Sequence, residues 1–173
     1  MGKSILITGG ARSGKSHLAE GWTLAEPGQA FYIATCRAYD TEMEARIAEH
    51  QSRRGPEWKT ISEPLDLLSV LDQTDGDGPR LIDCLTLWLA NLMEDGHDWQ
   101  VSANALAEAL TQQHSPVILV TNEVGLGIVP ENALSRAFRD AQGALNQTIA
   151  RAADDVYLAV AGYPLKVKPD ASA

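Results

Sequence analysis

Eight residues near the N-terminus, Gly9-Gly10-Ala11-Arg12-Ser13-Gly14-Lys15-Ser16, carry the spacing G-x-x-x-x-G-K-S/T. Residue types in this order suit a chain of phosphates. The glycines let the backbone approach closely, successive amides point inward, and a helix starting at the far end adds partial positive charge. Lys15 is placed to reach the β- and γ-phosphates, and the Ser16 hydroxyl to complete a Mg²⁺ shell. A glycine-rich βα turn of no special use is the alternative reading, and the flanks weigh against it. Ser4-Ile5-Leu6-Ile7-Thr8 reads as a short apolar strand, and Ser16 to Ala25 as a helix with Leu18, Trp22 and Ala25 on one face. The segment implies a nucleoside triphosphate site.

Such a site needs an acidic partner at the end of another apolar strand. Leu81-Ile82-Asp83 supplies one, with Asp83 holding Mg²⁺ directly or through water; an ordinary polar strand end is the competing reading. Glu123, just after the apolar run ending in Thr121, is a candidate base or water-orienting group, or a carboxylate that bonds to the amides of its glycine-rich loop. His50 lies on an apolar helical face with Met43 and Ile47, where a lone histidine is commonly a core residue. Its neighbours argue for more. Arg46, Arg53 and Arg54 surround it in a chain of net charge −9, which suggests a local anion site that keeps the imidazole neutral and nucleophilic towards phosphorus. His17, His97 and His114 have no comparable setting. The Asn-Lys-x-Asp guanine signature of regulatory GTPases is absent.

The elements that must position these residues alternate regularly. Strands are expected at Ala30–Thr35, Trp58–Ile61, Arg80–Cys84, Pro116–Thr121 and Asp155–Val160 besides the first. Helices are expected from Asp40 or Thr41 to about Arg54, from Pro64 to Leu71, from Leu85 to Met93, from about Val101 to Gln113 and from about Asn132 to Ala153. Five or six apolar strands separated by helices imply right-handed crossovers. The expected fold is α/β: a P-loop NTPase-type, mostly parallel sheet with helices on both faces, in a single domain over residues 1–173 with a frayed tail after about Lys168. The acidic balance, 14 Lys and Arg against 23 Asp and Glu, argues against nucleic acid as a partner. With no apolar run long enough to span a bilayer and no leader-like N-terminus, the expectation is a cytoplasmic protein. Cys36 and Cys84 form no metal or disulfide pattern.

Taken together, the chain resembles the bifunctional adenosylcobinamide kinase / adenosylcobinamide-phosphate guanylyltransferase family from about Ile5 to Lys168. The resemblance rests on Ile7 to Ser16, Tyr32-Ile33-Ala34-Thr35, Glu42-Met43 through Arg46-Ile47-Ala48-Glu49-His50, and Asp83-Cys84-Leu85-Thr86 with Trp88 and Asn91. It extends to Val120 to Gly125, Val129 to Asn132, and Arg136, Phe138, Arg139 and Asp140 with Gly143 and Asn146. The resemblance implies two steps. A nucleoside triphosphate, ATP or GTP, phosphorylates adenosylcobinamide; GTP then loads GMP onto a histidine, matched by His50, for transfer to adenosylcobinamide phosphate. It further implies nucleotide contacts around Thr35, Cys36, Arg37, Gln51, Ser52, Arg53, Arg54, Glu63 and Cys84, Mg²⁺ as cofactor, and a homotrimer. Two other readings stand beside it: a monofunctional small-molecule kinase in which His50 is structural, and a nucleotide-dependent binding module without transfer chemistry.

Overall fold

A computed structural model of the chain describes residues 1–38 and 54–169. Its centre is a seven-stranded sheet in the order β3-β2-β4-β5-β1-β6-β7. The strands are β1 (Ser4–Gly9), β2 (Ala30–Ala34), β3 (Trp58–Ser62), β4 (Arg80–Asp83), β5 (Val117–Val120), β6 (Asp155–Val160) and β7 (Tyr163–Lys168). All neighbours pair in parallel except β6 and β7. The described helices are α1 (Lys15–Ala25), α2 (Leu67–Thr74), α3 (Leu85–Glu94), α4 (Trp99–Leu110) and α5 (Ala133–Ala152). The expected mostly parallel α/β sheet is what forms, with helices on both faces.

Alternation along each strand divides the core in two. Leu6, Ile33, Ile82, Leu119 and Val156 point to one face, where they meet Leu71, Leu85, Leu89, Leu106, Leu145 and Ile149 of α2 to α5. Ile7, Tyr32, Leu81, Ile118 and Val120 point to the other, which α1 covers through Ala19 with Leu18 and Trp22. Crossover handedness explains this division. The connection from β1 to β2 runs across the sheet in one direction, whereas those from β3 to β4, β4 to β5 and β5 to β6 run in the other. Right-handed crossovers travelling in opposite directions must lie on opposite faces. The loop after β1 therefore opens where the winding reverses, the place where sheets of this kind take ligands.

Several boundaries differ from the sequence expectations. The helix expected from Pro64 starts at Leu67: the Leu67 amide turns back to the Leu65 carbonyl at 3.1 Å, and Asp66, outside the helical region at φ −91° and ψ 67°, caps the helix through the Ser69 amide. Asp98 accepts the amides of Gln100 and Val101, which starts α4 at Trp99 rather than Val101. The sheet has one strand more than expected. After β6 the chain reverses through a two-residue turn at Ala161 (φ 51°) and Gly162 (φ 86°), and β7 returns antiparallel with Val160 paired to Tyr163. Both turn residues have positive φ, as the tight turn matching strand twist requires. Pro164 is tolerated because β7 is an edge strand. The helix expected up to Arg54, with its residues 41 to 53, and the end of the frayed tail, residues 170–173, lie outside the described residues.

Candidate active site

The phosphate-loop residues emerge from the buried end of β1 and run into α1. The Ser13 amide donates to the Gly10 carbonyl at 3.3 Å, closing the loop, and the Leu18 amide donates to the Gly14 carbonyl at 3.0 Å. Gly14 caps the helix in the left-handed region, φ 92°. A Cβ there would stand 2.8 Å from the Gly162 Cα. On the same contact, the Gly162 amide donates to the Ser13 carbonyl at 2.8 Å. The β6–β7 turn thus buttresses the loop from behind. No acidic residue occupies the first turn of α1, so the positive end of that helix is not offset from within.

These residues fit a bound polyphosphate. Lys15 holds its ammonium against the Gly10 carbonyl at 3.0 Å, folded back along the loop. Two buried hydroxyls on the loop and its approach, Thr8 Oγ1 and Ser13 Oγ, have no hydrogen-bond partner among the described residues. Unmet buried groups of that kind are costly, and a ligand that supplies the missing partner relieves the cost. Ser16 follows in the first turn of α1.

Asp83 ends β4, level with Val120 of β5, which is itself level with Ile7 of β1. It thus stands two strands, about 10 Å, from the phosphate-loop strand. Its Oδ2 accepts the Tyr32 hydroxyl at 2.8 Å, which leaves the carboxylate further acceptor sites. Burial, reinforced by the Asp83 charge and that hydrogen bond, raises the Tyr32 pKa well above the usual phenol value, so the phenol is a donor throughout the physiological range. The Arg54 guanidinium lies over the Tyr32 ring, 3.2 Å from its centroid, and Nη1 donates to Thr60 Oγ1 at 3.2 Å. Trp58 meets the same ring edge-on at 5.7 Å.

A second group ties the strand ends together. Thr35 Oγ1 donates to the Cys84 carbonyl at 2.7 Å and accepts the Cys84 amide at 2.8 Å. Asn91, buried in α3, donates to the carbonyls of Thr35 and Pro64 at 2.8 and 3.0 Å. Cys84 is only 6 % exposed, and burial together with the charge of Asp83 pushes its thiol up to about 11. Cys36 sits half-buried, its Sγ 3.5 Å from the Arg37 carbonyl. Arg37 is paired through both terminal nitrogens with Asp95, at 2.9 and 2.5 Å. Glu63 caps the turn before α2, its carboxylate accepting the amides of Leu65 and Asp66 at 2.8 Å. Glu123 accepts the Gly125 amide at 2.7 Å, the loop-bonding role weighed against catalysis.

The structure therefore gathers Gly9 to Ser16, Asp83, Thr35 and Cys84 on the carboxyl ends of β1, β2 and β4. His50, Gln51, Ser52 and Arg53 lie outside the described residues. Two contributors were not foreseen. Tyr32 was noted only as part of a strand motif, although its parity matches that of Asp83. Gly162 went unread, although Val160-Ala161-Gly162-Tyr163 places a turn pair ending in glycine between strand-forming residues.

Comparison with known proteins decides the family. Residues 5–167 match the family model for cobinamide kinase / cobinamide phosphate guanyltransferase. This chain belongs to that family. It is 48% identical over 168 residues to the bifunctional adenosylcobalamin biosynthesis protein CobP of Pseudomonas aeruginosa, covering 94% of this chain and 96% of the relative. It is 41% identical to the protein CobU of Salmonella typhimurium and 40% identical to that of Escherichia coli, over 95% of this chain and 99% of each relative. The phosphate loop and both strand ends described here fall inside the matched span. Among the described residues, no helix is long and apolar enough to cross a membrane.

Proposed function

We propose that this chain phosphorylates the hydroxyl of adenosylcobinamide with a nucleoside triphosphate and then converts the product to adenosylcobinamide-GDP through a guanylylated His50. The observation that carries the reading is the phosphate cradle itself: the glycine loop closed after β1, the free positive end of α1 and Lys15 in one place, on a chain matched to the family over residues 5–167. In the kinase step the hydroxyl oxygen attacks the γ-phosphorus while the bond to the β,γ-bridging oxygen breaks, and the hydroxyl proton passes to a base. In the transfer, a neutral His50 nitrogen attacks the α-phosphorus of GTP. A P–N bond forms, the bond to the α,β-bridging oxygen breaks, and pyrophosphate leaves with the electron pair. A phosphate oxygen of the acceptor then displaces the imidazole, which regains its free form. Dividing the reaction this way avoids a single encounter between two polyanions.

Lys15 and the loop amides neutralise charge that grows on the bridging and terminal oxygens. Ser16 and Asp83 are the residues that would hold Mg²⁺, which when bound neutralises phosphate charge and fixes its orientation. Arg54, carried on the Tyr32 ring, is set to add a cation, and Thr35, Cys36, Arg37, Arg53 and Glu63 are proposed to line the nucleotide. Leu126, Ile128 and Val129 in the loop after β5 and Leu134 in the first turn of α5 are exposed, Ile128 to 97 %, and this apolar patch supports the reading of a homo-oligomer, a trimer by family resemblance.

Intact mass after incubation with GTP and Mg²⁺ tests the central step. The wild type gains one GMP, stable in alkali and lost in acid, and His50→Ala gains none. A wild type that phosphorylates adenosylcobinamide yet never acquires the adduct overturns the transferase half and leaves a kinase alone.

A further inference from the structure

Tyr32 is more than a core residue. It is 3 % exposed, and a phenylalanine would fill the same space between Leu81 and α1. What a phenylalanine lacks is the hydroxyl, which reaches Asp83 Oδ2 at the carboxyl end of the next strand. The ring does separate work. One face carries the Arg54 guanidinium at 3.2 Å, and the ring is held by Trp58 at its edge. Among the described residues, Arg54 Nη1 bonds Thr60 Oγ1 at 3.2 Å, whereas Nε is buried without a partner. A planar cation laid on a ring keeps its in-plane N–H groups clear of that ring, and the unmet Nε keeps a donor for an acceptor such as a phosphate oxygen.

We propose that Tyr32 is a positioning residue of the nucleotide site, its hydroxyl orienting Asp83 for the cation and its ring holding Arg54 for the phosphates. One side chain thereby sets the spacing between an anion and a cation that act on the same ligand. The inference rests on the reading of this edge as the nucleotide site, and goes beyond it by naming the residue that couples its two charged groups.

The two roles separate by substitution. Tyr32→Phe removes the hydroxyl and keeps the ring; Tyr32→Leu removes both; Arg54→Ala removes the cation and keeps both the ring and its hydroxyl. Mn²⁺ affinity is read by electron paramagnetic resonance with the α,β-methylene analogue of GTP bound, and analogue affinity is read separately by calorimetry without metal. Tyr32→Phe weakens Mn²⁺ about tenfold, the effect of losing a hydrogen bond to a charged group, and leaves metal-free analogue binding unchanged. Tyr32→Leu and Arg54→Ala each weaken metal-free binding several-fold, and the double variant is no weaker than Arg54→Ala alone. A residue with only a structural role would lower the melting temperature without dividing the two affinities in this way. Wild-type Mn²⁺ affinity in Tyr32→Phe, or additive losses in the double variant, overturns the inference while nucleotide binding by the wild type stands. If the wild type itself binds no analogue, the nucleotide reading falls and takes this inference with it.

Discussion

The contact between the phosphate loop and the β6–β7 turn makes a sharp test, because two glycines in it have nearly the same backbone and opposite surroundings. Gly14 has φ 92° and Gly162 φ 86°, so alanine at either position carries the left-handed penalty, about 1–2 kcal/mol. Reduced freedom of the unfolded chain offsets part of it, by about 0.4–1 kcal/mol. At Gly162 nothing lies within 4 Å of an added Cβ. Gly162→Ala should therefore cost about 1 kcal/mol, a fall of about 2–4 °C in melting temperature, and leave GTP affinity unchanged. At Gly14 the added Cβ would meet the Gly162 Cα at 2.8 Å. Relief to ordinary carbon contact requires the loop and the turn to part by about 1 Å. That movement breaks the 2.8 Å bond from the Gly162 amide to the Ser13 carbonyl, adding about 1 kcal/mol. It also shifts the loop amides proposed to face the phosphates, and a displacement of about 1 Å in a positioned site is worth about a hundredfold. Calorimetric GTP binding and thermal unfolding of both variants are the assay. Gly14→Ala is expected to lose about a hundredfold in affinity and Gly162→Ala almost nothing. Equal losses in the two would refute the buttress argument, since backbone strain alone would then explain both.

Two further outcomes follow from the remainder of the fold. Arg80 is fully buried at the start of β4, bonded to Asp75, Gln113 and the carbonyls of Thr74 and Ser115. Burial works against ionisation of Asp75, but the Ser115 amide, His114 and Arg80 together hold its pKa below the usual carboxylate value. A depressed folded pKa contributes stability that is complete above the unfolded value, about 3.9, and is lost as pH falls through the folded one. Melting temperature should therefore drop more steeply below about pH 4 in the wild type than in Asp75→Asn, which is less stable at pH 7 by about 2 kcal/mol; parallel pH profiles would remove Asp75 from this role. Native protein treated with iodoacetamide at pH 8 should be alkylated at Cys36 and spared at Cys84, whose thiol is buried with a pKa of about 11, until denaturant is added. Equal native rates at the two thiols would contradict the enclosure of Cys84.

The phosphate loop and the parallel sheet were legible because their signals are local. A glycine motif between an apolar strand and a helix specifies its own geometry, and apolar runs of four to six residues separated by helix-length segments force crossovers. Boundaries moved where side chains competed with periodicity. Pro64 is a good first helical residue, yet Asp66 leaves the helical region and its carboxylate takes the Ser69 amide, so the cap falls three residues later than Glu63. The extra strand was missed for a different reason. Tyr163-Pro164-Leu165-Lys166-Val167-Lys168 is exposed along most of its length, so it lacks the apolar continuity that marked the others. What makes it a strand is the turn at Ala161 and Gly162 and the open edge of β6.

Side-chain pairings across the sheet belong to another kind of information. Periodicity tells that Tyr32 and Asp83 each face the α1 side, because each sits at the right parity in its strand. It does not tell that β2 lies against β4, since β3 comes between them in the chain and the 51 residues separating the pair carry no mark of adjacency. Only the placement of β2 between β3 and β4, with Ala34 level with Asp83, brings the phenol within reach of the carboxylate. The same holds for Gly14 and Gly162, which stand 148 residues apart and touch because β6 lies beside β1. The candidate site residues stand out in the sequence through type and spacing. The groups that hold them in place depend on strand order, a property of the closed sheet that no single stretch of the chain contains.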